Sequence, residues 1–208
     1  MNTKAKAAVV TGGAKGIGEA VCLRLAAQGF SVAICCNTSR EKAEALACKI
    51  KNGGGNAMVF SFDITDDMWH RMIDTNLGGA FYCTRAVLPF MIHRKAGKII
   101  NIASVWGETG GSCEVHYSAA KAGLIGMTKA LAKELGLSGI TVNCVSPGVI
   151  LTDMTSHFDE NTMNELKNET PLNRIGTPED VAGAVAFLVS ADGDFITGQD
   201  IPVNGGMY

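Results

Sequence analysis

Apolar residues along the chain follow two alternating patterns. Short β-branched runs, typical of strands, are separated by longer segments in which apolar residues recur every three or four positions, typical of helices that cover a sheet. Glycine and helix-capping residues mark boundaries between these segments, as at Gly29 and at Thr38-Ser39. Strands are predicted at Ala7–Thr11, Ser31–Cys36 and Ala57–Phe62, and helices at Gly16–Gln28 and Arg40–Lys51.

The rest of the chain continues this alternation. Thr177-Pro178-Glu179-Asp180 combines a cap, a proline and early acids, which predicts the start of a late helix. Strands that alternate with helices form parallel βαβ units, so we predict the α/β class with a doubly wound parallel sheet covered on both faces. Further helices are predicted at Met68–Arg94 and Val115–Leu135, and strands at Lys98–Ile102, Ile140–Val145 and around Ile201.

Length and composition favour a single soluble domain. The 208 residues, of which 47% are hydrophobic, suffice for one core, so residues 1–208 are predicted to form one domain. The 18 basic residues nearly balance the 20 acidic ones and form no run, which argues against a nucleic-acid partner. No apolar stretch reaches the roughly 20 residues of a membrane helix, and the first residues do not resemble a signal peptide. We therefore predict no membrane association and a cytoplasmic location.

The cysteines predict a reduced protein without a metal site. There are seven, an odd number, and no pair of CxxC motifs is present to bind zinc. They are interpreted as small apolar residues of the core. Only Cys113 lies in a polar loop, and its role is left open.

A glycine-rich segment between the first strand and the first helix predicts a phosphate site. Glycine lets the backbone approach a ligand closely, while the bare amides and dipole of a helix N-terminus favour a pyrophosphate. Tight turns also collect glycine, so the position after the first strand carries this interpretation. The predicted cofactor-binding residues here are Gly12, Lys15, Gly16, Ile17 and Gly18.

The end of the second strand favours NADPH over NADH. NAD-binding folds usually place an acidic residue there against the ribose hydroxyls, but residues 36–40 contain no carboxylate. Lys15, Asn37 and Thr38 are available to bind a 2′-phosphate, with Ser39 and Arg40 beside them. The alternative is that these polar residues only cap the next helix.

Tyr117 and Lys121 form a candidate proton-transfer pair. A spacing of four residues places them on one face of the predicted helix. A free phenol has a pKa near 10, and a nearby ammonium would stabilise the phenolate. Ser104, just after a predicted strand, could hydrogen-bond a substrate carbonyl while Tyr117 protonates its oxygen and a cofactor delivers hydride.

Taken together, these motifs resemble the short-chain dehydrogenase/reductase family, whose fold is a Rossmann-type doubly wound sheet. The resemblance implies that Tyr117 is the catalytic acid and that Ser104 orients the carbonyl. It also implies that Lys121 binds the nicotinamide ribose and lowers the pKa of Tyr117, and that Asn76 holds a water in a proton relay. The segments that carry it are Thr11–Gly18, Asn76, Ser104, Tyr117–Lys121 and Ser146–Gly148.

The same resemblance implies further contacts and an assembly. Asp63 and Ile64 are expected to contact the adenine, and Ile150 and Thr152 the carboxamide of the nicotinamide. Residues 153–175 are expected to form a substrate lid. Family members are usually tetramers that pair the helices bearing Asn76 and Tyr117. A homotetramer is therefore expected, and the apolar residues around the Val115–Leu135 helix suit burial on more than one side.

Within the family, the chain most resembles 3-oxoacyl-[acyl-carrier-protein] reductases. That likeness implies NADPH-dependent reduction of a 3-oxoacyl thioester, bound to a carrier protein, in fatty acid synthesis. Val105-Trp106-Gly107 and Ser112–Val115 instead resemble a reductase of a ketone on modified elongation factor P, so another carbonyl substrate is the alternative. Trp106, Glu114 and His116 fit ordinary loop packing as well as a substrate role. A non-catalytic nucleotide-binding scaffold is the minor alternative.

The chain departs from the family at one place. A helix and a strand that the family carries are expected to be missing between Asp67 and Met68. That strand lies centrally in the family's sheet, so its loss would leave unpaired strand edges.

Overall fold

The computed structural model describes residues 6–61, 68–156 and 158–208. Their contacts divide them into two compact units. The first unit comprises the described residues of 1–63, 150–158 and 177–186, and the second comprises those of 64–149, 159–176 and 187–208. The single domain expected from the sequence stays a prediction.

The first unit contains a parallel sheet of three strands in the order β1-β2-β3. Helices α1 and α2 pack against the face that carries the fully buried side chains of Val32 and Ile34. On the opposite face Val9 and Met58 occupy one register row with Ala33, and both are exposed. Its elements are β1 (Lys6–Thr11), α1 (Gly16–Ala27), β2 (Phe30–Cys36), α2 (Arg40–Asn52) and β3 (Asn56–Ser61).

The second unit contains another parallel three-stranded sheet, in the order β4-β5-β6. Its helices begin with α3 (Met68–Ile73), a π-helical segment (Asp74–Gly78) and α4 (Gly79–Arg94). The remaining elements are β4 (Gly97–Ile102), α5 (Val105–Thr109), α6 (Val115–Leu135), a 3₁₀ turn (Gly136–Ser138), β5 (Ile140–Pro147), α7 (Glu160–Glu169), a 3₁₀ turn (Ala191–Gly193) and β6 (Asp200–Val203). Helix α8 (Pro178–Val189) belongs to the first unit as far as Ala186.

Buried apolar side chains join the second sheet to helix α6. Ile99 of β4 and Val142 of β5 pack with Ala132 and Leu135 of the helix. Toward the other end, Leu124 and Ile125 pack with Ala103 and Cys144. These contacts bury the side of α6 that bears Lys121. They also hold the carboxyl end of β4 beside α6.

The structure confirms the α/β class and the parallel strands, and helix α6 has the predicted bounds. The described strands form two three-stranded sheets, and β1 and β4 each pair with a single described neighbour. The predicted Met68–Arg94 helix is interrupted by the π-helical segment. The expected gap between Asp67 and Met68 lies at residues outside those described, and it stays a prediction.

The interpretation of the cysteines as core residues holds for most of them but is wrong for Cys48, and Cys113, whose role was left open, is exposed. Cys22, Cys35, Cys36 and Cys144 are buried, and Cys83 is half-buried. Cys48 and Cys113 are exposed, because Cys48 points away from the sheet on α2 and Cys113 lies in a left-handed turn, with φ of 64°. No disulfide joins any of the seven. In the described part of the chain, no helix combines the length and apolarity needed to cross a bilayer.

Candidate functional site

The glycine-rich loop of the first unit folds tightly between β1 and α1. A Cβ atom on Gly18 would collide with the carbonyl of Gly12, and one on Gly13 would lie 2.9 Å from the carbonyl oxygen of Val10. Gly12 has a φ of +64° and open space where its Cβ would be. The loop therefore requires glycine for its own packing and leaves room for a ligand beside Gly12.

The N-terminus of α1 fits a phosphate group. Lys15 is the N-cap residue, and its side chain makes no capping hydrogen bond, so no side chain caps the amides of the first turn from this position. The aligned peptide dipoles of this 12-residue helix place partial positive charge here. Amides and open space at Gly12 match the geometry that holds a pyrophosphate.

The polar residues after β2 include the N-cap residue of α2. Ser39 is the N-cap residue of α2, yet its hydroxyl makes no capping hydrogen bond. Asn37 and Thr38 are exposed at the carboxyl end of the strand. The ligand contacts predicted for Asn37 and Thr38 stay predictions, and the expected adenine contacts Asp63 and Ile64 lie outside the described residues.

A turn after residue 149 lies beside the glycine-rich loop. Ile150 is buried, and its carbonyl accepts a hydrogen bond from the Thr155 hydroxyl at 3.2 Å. The same hydroxyl accepts one from the amide of Thr152 at 3.1 Å. A Cβ on Gly16 would lie 3.3 Å from the Thr152 methyl carbon, so the turn is in contact with the start of α1. Thr152 therefore lies against the glycine-rich loop, and Ile150 belongs to the same turn.

In the second unit, Tyr117 and Lys121 lie one turn apart on α6. The ammonium nitrogen of Lys121 is 5.4 Å from the centroid of the Tyr117 ring. Only 9% of Lys121 is exposed, and its ammonium donates a hydrogen bond to the carbonyl of Ile102 at 2.9 Å. The carboxyl end of β4 thus fixes the cation beneath the phenol.

Ser104 completes this group at the carboxyl end of β4. It is buried, and its hydroxyl accepts a hydrogen bond from the amide of Trp106 at 3.3 Å, as the N-cap of α5. The Ser104 hydroxyl is also near enough to Tyr117 to lower the pKa of the phenol. A Cβ on Gly107 would lie 2.9 Å from the backbone of Lys121, so glycine allows α5 to approach α6. The structure therefore brings Ser104, Tyr117 and Lys121 together.

Burial dominates the protonation of this group. It raises the pKa of Tyr117 above its ordinary value, the hydrogen bond from Ser104 lowers it in part, and the charge of Glu114 raises it further. Burial also lowers the pKa of Lys121 to about 8. The pKa of Tyr117 therefore lies above its ordinary value in this structure, and the lowering of that pKa by Lys121 stays a prediction.

Asn76 lies within the π-helical segment. Its side-chain amide donates to the carbonyl of Met72 at 3.1 Å and contacts the Met72 sulfur at 3.0 Å. The next residue, Leu77, lies against Gly123 of α6, where a Cβ would be 2.8 Å from the leucine side chain. A π-helical turn is often found at a functional position, and here it packs against the helix of Tyr117 and Lys121.

The structure adds residues that the motifs did not identify. Trp106 packs its ring edge-on against Tyr117, with centroids 6.1 Å apart, so packing accounts for it whether or not it also meets substrate. In the first unit, Asp153 forms ion pairs with Lys15 and Lys42. Trp106 was visible as a departure from the family pattern, whereas Lys42 and Asp153 had no signal in the sequence. Among the described residues, no group of three or more side chains is arranged to bind a metal ion.

Comparisons with known proteins agree with this arrangement. Residues 61–208 match a family model described as enoyl-(acyl carrier protein) reductase, and residues 6–68 match one described as short chain dehydrogenase. The chain is 37% identical to the 3-oxoacyl-[acyl-carrier-protein] reductase FabG of Staphylococcus aureus, covering 98% of both chains. It is 39% identical to a reductase of that name from Synechocystis, covering 98% of this chain and 97% of the relative.

A solved structure shares the fold. The crystal structure of 3-oxoacyl-[acyl-carrier protein] reductase from Brucella melitensis superposes with a TM-score of 0.92 at 30% identity, covering 99% of this chain and 92% of that one. The alignment with the Staphylococcus aureus enzyme extends over 241 positions, whereas this chain has 208 residues, so at least 33 aligned positions are gaps in this chain. The two family matches meet at residues 61–68, next to the position where the sequence predicts a missing unit.

Proposed function

Because the chain belongs to the short-chain dehydrogenase/reductase family and is an oxidoreductase of the CH–OH/C=O type, we propose that it reduces a 3-oxoacyl thioester to the 3-hydroxyacyl thioester with NADPH. The substrate is carried by an acyl carrier protein, and the reaction belongs to fatty acid synthesis. The observation that supports the chemistry most directly is the ammonium of the buried Lys121, which lies 5.4 Å from the Tyr117 ring centroid and is fixed by the carbonyl of Ile102, two residues before Ser104.

The proton enters through Tyr117. Ser104 and Tyr117 both present hydroxyls that can donate to the oxygen of the substrate's 3-carbonyl, which gains negative charge during reduction. When bound, NADPH supplies the hydride for the carbonyl carbon. Tyr117 then gives its proton to the oxygen, and Asn76 is proposed to hold the water that returns a proton to the tyrosine. Because burial raises the pKa of Tyr117, the phenol is protonated at neutral pH and ready to act as the acid.

Lys121 supports the phenol and the cofactor. Its ammonium nitrogen lies 5.4 Å from the Tyr117 ring centroid, close enough to stabilise negative charge as the phenol loses its proton. We propose that it also binds the nicotinamide ribose. Its pKa of about 8 means that the cation is lost progressively as the pH rises past 8.

The first unit supports NADPH as the cofactor. Gly12, Gly16, Ile17 and Gly18 would hold the pyrophosphate on the amides of α1. Lys15, Asn37 and Thr38 would bind the 2′-phosphate, with no carboxylate at residues 36–40 to repel it. Asp63 and Ile64 would contact the adenine, and Ile150 and Thr152 the carboxamide, with residues 153–175 as the substrate lid.

Oxidation of NADPH on addition of an acetoacetyl thioester tests the proposal, with NADH assayed in parallel. Tyr117→Phe should lower kcat by about 10² to 10⁴-fold, because the proton donor is lost. It should leave NADPH binding, followed by its fluorescence, close to that of the wild type. Tyr208→Phe, at an exposed tyrosine near the C-terminus, is the matched control and should retain full turnover. A Tyr117→Phe enzyme with wild-type kcat would overturn the assigned chemistry.

Reduction of another carbonyl, such as a ketone on modified elongation factor P, is the second candidate. It is favoured by Trp106, which packs against Tyr117 from the stretch where the sequence departs from 3-oxoacyl reductases. This candidate is supported if the protein binds NADPH and reduces a protein-borne ketone but does not reduce the acetoacetyl thioester. Binding without turnover of any carbonyl would favour the non-catalytic scaffold.

We also propose a homotetramer in the cytoplasm. Helix α4 exposes Phe81, Tyr82 and Phe90, and α6 exposes Val115, so apolar surface is available on both helices expected to pair. Light scattering coupled to size-exclusion chromatography tests the assembly. A mass four times that of the chain supports it, and a monomer at micromolar concentration contradicts it.

A further inference from the structure

A cavity of about 350 Å³ lies within the first unit, between the glycine-rich loop and helix α2. Its charged lining consists of three lysines and two acids: Lys15, Lys42, Lys49, Glu19 and Asp153. The lysines outnumber the acids, so the cavity carries a net positive charge at neutral pH. Since Lys15 is one of the residues proposed to bind the 2′-phosphate of NADPH, this cavity adjoins that site.

Lys42 is the lysine of α2 that shares an ion-pair partner with Lys15. Residues 42, 45, 46 and 49 line the cavity and share one face of the helix, since they recur at helical spacing. Arg40 instead donates a hydrogen bond to Glu44 at 2.8 Å, one turn along the helix, and neither residue lines the cavity. The sequence places Arg40 nearer the end of β2, but the structure favours Lys42 as the residue that faces the ligand.

Asp153 connects the two lysines. Its Oδ2 atom lies 3.6 Å from the Lys15 ammonium and 3.5 Å from the Lys42 ammonium. All three side chains are more than half exposed, so these ion pairs are weak and readily exchanged. One carboxylate oxygen therefore occupies the position between two cations that a phosphate would take with a larger charge.

We propose that Lys42 determines specificity for the 2′-phosphorylated cofactor together with Lys15, and that Asp153 competes with the 2′-phosphate for both lysines. This proposal rests on the proposed use of NADPH. A phosphate with nearly two negative charges displaces the single carboxylate, whereas NADH has no group at this position to do so. Removing Lys42 therefore weakens binding of the phosphate, and removing the Asp153 charge strengthens it.

Binding of adenosine 2′,5′-bisphosphate and of AMP, measured by isothermal titration calorimetry, isolates the 2′-phosphate from catalysis. Lys42→Met should weaken binding of the bisphosphate roughly tenfold, and Asp153→Asn should strengthen it about fivefold, because a charge a few ångströms away in water changes affinity by such factors. Neither variant should change AMP binding more than twofold. Both effects should shrink between 20 and 200 mM salt, since the groups are exposed.

Lys51→Met removes an exposed lysine of the same helix that does not line the cavity, and it is the matched control. A wild-type protein that prefers the bisphosphate, with the same preference in Lys42→Met, would overturn the role of Lys42 and leave NADPH as the cofactor. A wild-type protein that binds AMP and the bisphosphate equally would overturn both this proposal and the choice of NADPH. If Lys51→Met also lost the preference for the bisphosphate over AMP, the effect of Lys42→Met would reflect the net charge of the protein. That result would overturn the specific site.

Discussion

The two sheets of this protein have equal numbers of strands but very different surroundings. In the first sheet, Val9, Met58 and Phe60 are 49%, 65% and 45% exposed on one face, although this face carries apolar residues of all three strands. In the second sheet, neither the edge strand β4 nor the central strand β5 has an exposed residue, whereas in the first sheet this holds only for the central strand β2. The first sheet is therefore covered on one side, whereas the centre of the second is enclosed.

This difference determines whether backbone amides or buried side chains are the groups that each sheet offers to a ligand. The first sheet offers backbone amides and glycines at the carboxyl end of β1, and these need open space rather than a buried environment. The second fixes side chains through buried polar contacts: Asn101 donates to Thr128 at 2.8 Å, and Ser146 donates to Asp200 at 2.7 Å. Open backbone suits a large cofactor, and an enclosed strand suits precise placement of Ser104 and Lys121.

The largest expected effect comes from a substitution in the glycine-rich loop that follows β1. In Gly18→Ala, the new Cβ collides with the Gly12 carbonyl, so the loop has to move from the position that is proposed to accept a pyrophosphate. A misplacement of about 1 Å in the groups that hold a ligand can lower activity by a factor on the order of 100. We expect NADPH binding, measured by fluorescence titration, to weaken by at least that factor.

Gly183→Ala provides the control for this change. Gly183 lies in helix α8, and its Cβ would meet nothing within 4 Å. Alanine should leave NADPH binding unchanged and stabilise the helix by about 0.5–1 kcal/mol. Equal NADPH affinity in Gly18→Ala and the wild type would show that the glycine-rich loop does not hold the cofactor.

Asn143 is expected to show how strongly the second sheet depends on its buried polar contacts. Its side chain is fully buried, donates to the carbonyl of Ile196 at 2.8 Å and accepts from the amide of Gln199 at 3.0 Å. Asn143→Ala leaves both backbone groups without these partners, which costs about 3 kcal/mol of unfolding free energy. Asn56→Ala, at an exposed position of β3, should cost less than about 0.5 kcal/mol. Urea denaturation compares the two, and similar losses would contradict the difference between the sheets.

Local sequence signals predicted the parts of the site that depend on one element or one turn. The four-residue spacing of Tyr117 and Lys121 is sufficient to place them together on α6, and the glycines after β1 indicate the loop without knowledge of the rest of the chain. Both features arise from backbone geometry that nearby residues determine. The match of α6 to its predicted bounds has the same origin.

Features that depend on distant residues had no such signal. Lys42 and Asp153 are 111 positions apart, and neither belongs to a motif. The upward shift of the Tyr117 pKa depends on burial by several elements, which the spacing of two residues does not reveal. The π-helical turn at Asp74–Gly78 also lacks a distinct pattern, because its apolar periodicity resembles that of an ordinary helix.

The buried charge of Lys121 is expected to lower the free energy of unfolding at neutral pH. Its ordinary pKa of 10.5 in the unfolded chain falls to about 8 in the folded protein, so the unfolded state binds more protons between these values. Stability therefore rises with pH from 8 to 10.5, by roughly 3 kcal/mol in total. Lys121→Met removes this cost along with a hydrogen bond worth about 1 kcal/mol. We expect the variant to be about 2 kcal/mol more stable at pH 7.

The pH dependence separates this effect from a general gain in packing. Urea denaturation at pH 7, 8 and 9 should show the advantage of Lys121→Met shrinking above pH 8, as the wild-type lysine loses its proton in the folded state. Lys133→Met, at an exposed position of the same helix, should follow the wild type at each pH. A constant difference between Lys121→Met and the wild type across this range would show that the lysine is not destabilised by burial.

The smallest expected effect compares one valine in each sheet. Val145 of β5 is fully buried, whereas Val9 of β1 is half exposed on the open face. Threonine has nearly the same shape as valine, so Val→Thr chiefly introduces a hydroxyl. At Val145 that hydroxyl loses its water, and we expect a loss of about 1.5 kcal/mol in urea denaturation. At Val9 it stays hydrated and suits a strand, so the change should be below about 0.5 kcal/mol. An equal loss at Val9 would mean that this face is covered in solution, and the comparison between an open and an enclosed sheet would fail.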